Sequence, residues 1–239
     1  MPITNVRSRW DKGNLLYYDP AFRLRIVDAI GPGVIHTFKT LGNVVNPVTI
    51  DPTGWTTTVV EVGTGESEMN PSDDEDIVAE IITAANEDDG AQYQAPGAAF
   101  KCVDGVSFYL GMKFKINDVD QIDLLFGACI TDTSLLGALS DGVYLESLDA
   151  STSVSGVTEK NGTETQTDSL GTLVDDTFQI WEMVWDGTNL VFYIDGVQVA
   201  SHTDNIPNDE GLRMSIAFLT GEVAAQTMKI AWARGFAWT

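Results

Sequence analysis

The sequence predicts an all-β protein: an antiparallel two-sheet jelly-roll sandwich carrying an N-terminal extension. Two stretches and the chain length carry this expectation. Phe178 to Trp238 reads as consecutive strands around Leu190-Val-Phe-Tyr-Ile-Asp-Gly-Val-Gln-Val-Ala200, where Asp195-Gly196 supplies the positive φ angles of a two-residue hairpin turn. Val106 to Ile116 alternates, with Val106, Phe108, Leu110, Met112, Phe114 and Ile116 on one face. Its other face carries Ser107, Tyr109, Gly111, Lys113 and Lys115, for solvent or a partner. The 239 residues, 44% of them hydrophobic, suit one large domain. At this size the chain exposes roughly 10,500 Å² folded against roughly 37,500 Å² unfolded, which builds a core without staples.

The elements follow in order. Asn14-Leu-Leu-Tyr-Tyr-Asp19 is a short strand between Gly13 and Pro20. Gly31-Pro-Gly33, Asn46-Pro47 and Asp51-Pro-Thr-Gly54 punctuate a region of short strands and turns. Thr56 to Val62 is a β-branched strand. Residues 77–83 fit two patterns, since Ser72-Asp-Asp-Glu75 resembles a helix capping box while Ile77-Val-Ala-Glu-Ile-Ile-Thr83 is a β-branched run. Ile122 to Ile130 is a uniformly apolar strand, and Gly142-Val-Tyr-Leu-Glu146 follows a turn at Ser140-Asp-Gly142. The polar stretch Ser151 to Thr172 is a hairpin turning at Asn161-Gly162. Phe178 to Trp185 ends at the turn Asp186-Gly-Thr-Asn189, and Leu212, Met214, Ile216 and Phe218 alternate with polar or small residues. The last strand sets Met228, Ile230 and Trp232 on one face, so Trp181, Trp185 and Trp232 are expected in the core.

The formal net charge of −22 argues against a phosphate backbone as partner. No run approaches the ~20 apolar residues of a membrane span, and the start lacks a signal-peptide core, so folding in a cytoplasm is expected. An acidic, lysine-poor surface suits a salty medium. Residues 1–39 reverse the charge, with six bases against three acids. This separates a docking arm, residues 1–40, from a sandwich, residues 41–239. Within the arm Arg7, Arg9, Trp10, Lys12, Tyr17, Arg23 and Arg25 are the candidate anchors for a protein partner. Cys102 and Cys129 read as buried free thiols, with a disulfide as the alternative.

Catalytic patterns are sparse. His36 and His202 are the two histidines, and no Gly-x-Ser-x-Gly elbow, zinc spacing or phosphate loop accompanies them. Glu87 and Asp89 fall in a turn, and Asp118, Asp120 and Asp123 flank a strand without a partner of clear role. Asp73-Asp-Glu-Asp76 and Glu87-Asp-Asp89 offer oxygens for calcium but read as solvated loops, so no cofactor or metal is expected.

Several segments together resemble the concanavalin A-like lectin/glucanase superfamily, including laminin-G-like domains. They are Asn86 to Gln92, Phe126-Gly127 with Thr131-Asp132, Asp141-Gly-Val-Tyr144, Trp185 to Val199, Asn205-Ile-Pro207 and Met228 to Trp238. The resemblance covers residues 55–239 and favours the strand for residues 77–83. Glucanases of that superfamily carry a Glu-x-Asp-x-x-Glu-like strand, which is missing here, so the resemblance argues against an inherited hydrolase and ranks that reading last, behind a lectin-like module for adhesion to host glycans. The start Val6 to Asp19 is similar to that of tailed-bacteriophage virion proteins with lectin-like sandwiches. That likeness implies a capsid decoration or cement protein on the virion surface, made in the host bacterial cytoplasm and not an enzyme. Its partners would be the major capsid protein and, as a dimer or trimer, its own copies, with a glycan as a further ligand.

Overall fold

Residues 55–61, 67–70, 77 and 79–238 are described by the computed structural model, together with the backbone of four short strands before residue 38. Among them there is no helix, and all pairing is antiparallel. Strands β1 (Arg7–Asp11), β2 (Asn14–Asp19) and β3 (Leu24–Val27) form a small sheet of their own, in that order. The side chains of Arg7, Arg9, Trp10, Tyr17 and Arg25 on these strands, and Lys12 and Arg23 entirely, lie outside the described residues.

Two larger sheets make the sandwich. The first has seven strands, running spatially β13 (Thr163–Thr172), β12 (Ser153–Lys160), β11 (Gly142–Ser147), β10 (Ile122–Cys129), β17 (Arg213–Thr220), β8 (Gly90–Gln94) and β5 (Thr56–Val60). The second runs β16 (Val197–His202), β15 (Leu190–Ile194), β14 (Gln179–Trp185), β9 (Ser107–Ile116), β18 (Thr227–Trp238), β7 (Ala79–Ile82) and β6 (Glu68–Asn70). Its eighth member, β4 (His36–Thr37), pairs Arg234 and Gly235 of β18.

The period-two pattern explains the layering. On β9, Phe108, Leu110, Met112, Phe114 and Ile116 enter the core shared by both sheets, opposite Leu124, Phe126, Met214, Ile216 and Phe218 of the other. Trp181 fills the middle, fully buried and edge-on to Phe114 with centroids 5.0 Å apart. The turns fall where their residues demand. Asp195 and Gly196 have φ 51° and 74°, and Asn161 and Gly162 have φ 50° and 71°, the positive pair that matches strand twist. Residues 79–82 are the strand, because they close the β18 edge and bury Ala79 and Ile81. The capping-box residues lie outside the described set.

One expectation fails here. Met228 and Ile230 are core residues, but a register shift between Ile230 and Trp232 turns the strand over. Ala231 takes up the irregularity, Ala233 points into the core instead, and Trp232 stands half-buried on the outer face. A bulge of one residue inverts every later side chain, which simple alternation does not foresee.

Cys102 and Cys129 are free and buried. Burial pushes the Cys102 thiol up to about 12 and raises that of Cys129 as well. Native protein is therefore expected to leave a thiol reagent such as DTNB unreacted over minutes, with both thiols titrating once denaturant is added. Rapid native labelling would contradict this burial.

Candidate active site

The outer face of the seven-stranded sheet is built by the side chains that alternate with the core set. Leu124, Phe126 and Ala128 face inward, so Asp123, Leu125, Gly127 and Cys129 face outward on β10. On β11, Val143 and Leu145 are core, and Gly142, Tyr144 and Glu146 face outward. The β10–β11 register sets Leu125 against Glu146 and Gly127 against Tyr144. The β11–β12 register sets Glu146 against Ser155, Tyr144 against Val157 and Gly142 against Glu159.

Half of this face is closed by the chain itself. Gln92 and Gln94 project outward from β8 yet are nearly fully buried, because residues 130–135 lie over them. Gln92 donates from Nε2 to the Asp132 carbonyl at 2.9 Å and accepts the Leu135 N–H at 2.9 Å. Gln94 donates to the Ile130 carbonyl at 2.7 Å and accepts the Asp132 N–H at 3.0 Å. Two side-chain amides thus satisfy four backbone groups and pin the loop. Beneath it Leu125, Cys129, Leu135, Leu139, Tyr144, Val157 and Ala217 form a second, smaller apolar cluster.

The other half, over β10 to β13, is acidic. Asp123 and Glu146 are diagonal neighbours across the β10–β11 pair, a relation that sets Cα atoms about 7–8 Å apart. Burial pushes the Glu146 carboxyl up to about 7, and the charges of Glu164, Asp123, Glu159 and Asp168 add to the rise. Asp123 is also raised by burial, opposed by the Asp149 N–H that donates to its Oδ1 at 2.8 Å. Glu159 is raised by burial, opposed by the Tyr144 hydroxyl donating to Oε2 at 3.2 Å. Ser155 donates from Oγ to Asp168 Oδ1 at 3.0 Å, one strand beyond Glu146. No base pairs with Asp123, Glu146 or Glu159 among the described residues.

This arrangement fixes a pH dependence of stability. Folding raises the Glu146 carboxyl to about 7, above the ordinary value near ~4.3, so the fold favours the protonated form. Its contribution is complete at acid pH and is lost as pH rises through about 7. Glu146→Gln should leave urea stability unchanged at pH ~4 and raise it by roughly 1–2 kcal/mol at pH ~8, after discounting for solvent screening. Equal stability of the two proteins at both pH values would contradict the burial of this carboxyl.

Of the acids first considered, Asp123 reaches Glu146 on the acidic half of the sheet, while Asp118 and Asp120 hydrogen-bond each other. Asn86 to Asp89 is a turn, with Asp88 at φ 65° and Asp89 tied to Asn86 Nδ2 at 2.7 Å. Asp118 and Asp120 sit on the loop before β10. Among the described residues, no three His, Cys, Asp or Glu side chains converge as a metal site. His202 is structural, buried between Thr158 Oγ1 at 3.1 Å and Thr167 Oγ1 at 2.8 Å, and burial lowers its pKa. Glu146 and Glu159 escaped the linear reading because their neighbours come from other strands. The one local signal was a glutamate at an outward position of the strand 142–147.

No protein-family model matches the sequence, and no curated protein is similar to it. Its backbone is similar to solved sandwiches. The laminarinase from Rhodothermus marinus superposes with a TM-score of 0.60 at 11% identity, over 81% of this chain and 94% of that one. A Bacteroides ovatus family 16 glycoside hydrolase, solved with a G4G4G3G product, gives 0.57 at 14% identity, over 78% and 96%. An endo-1,3-β-glucanase from Streptomyces sioyaensis gives 0.55 at 11%, over 80% and 91%. The concanavalin A-like jelly-roll sandwich is thereby established. The same likenesses correct the expectation of a non-enzymatic capsid decoration protein. The three solved sandwiches named here are glycoside hydrolases of glucans, and the outer face of this chain carries Asp123 and Glu146 on neighbouring strands, although not the single-strand Glu-x-Asp-x-x-Glu pattern.

Proposed function

We propose that the chain is a glycoside hydrolase acting on a β-glucan-type polysaccharide, with the chemistry on the open half of the seven-stranded sheet. The observation that carries this reading is Glu146, a carboxyl buried enough to hold its proton to about pH 7 and placed diagonally from Asp123. Glycosidic cleavage needs one carboxylic acid to protonate the leaving oxygen and one carboxylate to attack or to activate water. Environments that push two carboxyl groups differently assign those roles. Glu146 is the acid. Burial raises Asp123 as well, but of the two only Asp123 accepts an N–H, that of Asp149, which works against the rise, and it is the second carboxylate.

Tyr144 lies between the Glu146 row and Glu159, and its hydroxyl orients Glu159. Ser155 flanks Glu146 on the other side. The solved neighbours named for laminarin and mixed-linkage glucan make these two polymers the first substrates to try. Full-length protein incubated with each at pH ~5–7 should release reducing ends. Binding without release would overturn the reading, as would release that Glu146→Gln leaves intact.

A further inference from the structure

The opposite side of the sandwich carries a feature that the carboxylate face does not use. Residues 40–239 hold only seven of the 13 bases. Four of them, Lys113, Lys115, Lys229 and Arg234, project from the outer face of β9 and β18. Met112, Phe114, Met228, Ile230 and Ala233 of the same strands are core, so these four point away from it. The register places Lys115 opposite Lys229, and Trp232 opposite Lys113. On a chain with net charge −22, chance does not readily gather the bases of an acidic body on one sheet face.

Aromatic rings are interleaved with them. Lys113 and Lys115 lie over the Phe178 ring, 4.6 and 5.2 Å from its centroid, and neither has an ion-pair partner among the described residues. The Arg234 guanidinium stacks on Trp232 at 4.0 Å and donates from Nη2 to the Tyr109 hydroxyl at 3.3 Å. Tyr109 in turn lies across Gly111, donates to Glu182 Oε1 at 2.6 Å and stacks on Phe236. This lattice fixes the guanidinium plane and leaves its Nε–H buried without an acceptor. Lys229 pairs with Glu80 at 3.0 Å. The bulge before Trp232 is what brings that indole to this face, in line with Lys113.

We propose that the outer face of the eight-stranded sheet is a binding site for an anionic polysaccharide, one bearing carboxylate or sulfate groups. Lys113, Lys115 and Arg234 take the anionic groups, and the exposed edge of Trp232 and the Phe178 ring take the apolar faces of the sugar rings. Charge complementarity selects a polyanion, because the rest of the body repels one. Lysines held above a ring and an arginine held against an indole are pre-oriented, which lowers the ordering cost of binding. The site is separate from the carboxylate face and does not depend on the chemistry proposed there.

The test uses full-length protein and four probes: dextran sulfate, polygalacturonate, neutral dextran and a single-stranded oligo(dT). Affinity electrophoresis and calorimetry should show binding to at least one of the two anionic polysaccharides and none to neutral dextran. That binding should weaken as salt rises from about 50 to about 300 mM. Lys113→Gln/Lys115→Gln should bind roughly tenfold or more weakly, and Trp232→Ala several-fold more weakly at unchanged circular dichroism. Glucan cleavage by the lysine double variant should equal that of the parent. Failure to bind either polyanion overturns the proposal, as does binding that the lysine variant retains. Tighter binding of oligo(dT) than of both polysaccharides reassigns the face to nucleic acid, and self-association of the protein through it reassigns it to a second copy.

Discussion

Replacing Glu146 by Gln is expected to slow glucan hydrolysis by about 10²- to 10⁴-fold, the range that a positioned general acid supplies. The amide keeps the size of the side chain but cannot give a proton to the leaving oxygen. Substrate affinity should hardly move, because the lost interaction exists only in the transition state. An aryl glycoside with an acidic phenol needs little protonation, so its cleavage should suffer far less than that of the polymer. The pH profile of the parent should fall on its basic side near the value of about 7 that burial gives this carboxyl. The same substitution stabilises the fold above that pH, so one variant should lose activity and gain stability together. A variant that is both slow and unstable at pH ~8 would mean that Glu146 is a structural group.

The second large effect is on stability. Trp181 is the largest fully buried side chain among the described residues, packed edge-on against Phe114, with its indole N–H donating to Gln179 Oε1 at 3.3 Å. Trp181→Ala removes the ring from a core too close-packed to collapse around the gap and strands that acceptor. The expected loss is about 3–5 kcal/mol, which lowers Tm by roughly 10 °C in a domain of this size. Denaturant unfolding measures it directly. A loss below ~1 kcal/mol would place the tryptophan outside the core.

Much of the sandwich was legible from residues close in sequence. Alternation from Phe108 to Ile116 needs only period two, and Asp195-Gly196 and Asn161-Gly162 announce their turns through conformations few other residues adopt. The strand at Ala79–Ile82 was ambiguous because a short apolar run fits either period, and its pairing with β18 decided the matter. What depended on distant partners was hidden. Asp123 meets Glu146 only through the β10–β11 register, and Gln92 reaches Leu135 across 43 residues. Trp232 was misplaced by a single irregular residue. The site was therefore harder to read than the scaffold: a scaffold is written in local periodicity, whereas a site is a coincidence of several strands.

Asp123, Glu146 and Glu159 lie on one flat side of the sandwich and Lys113, Lys115 and Arg234 on the other, with the apolar core between. These two groups of charge accordingly set up a local electric dipole across the core. Near any negatively charged matrix the molecule should swing so that its positive side leads and its carboxylate side looks away. Under the two proposed roles, material gripped on arrival and material cut would be different polymers, and anchoring would leave the carboxylate side free for whatever drifts past.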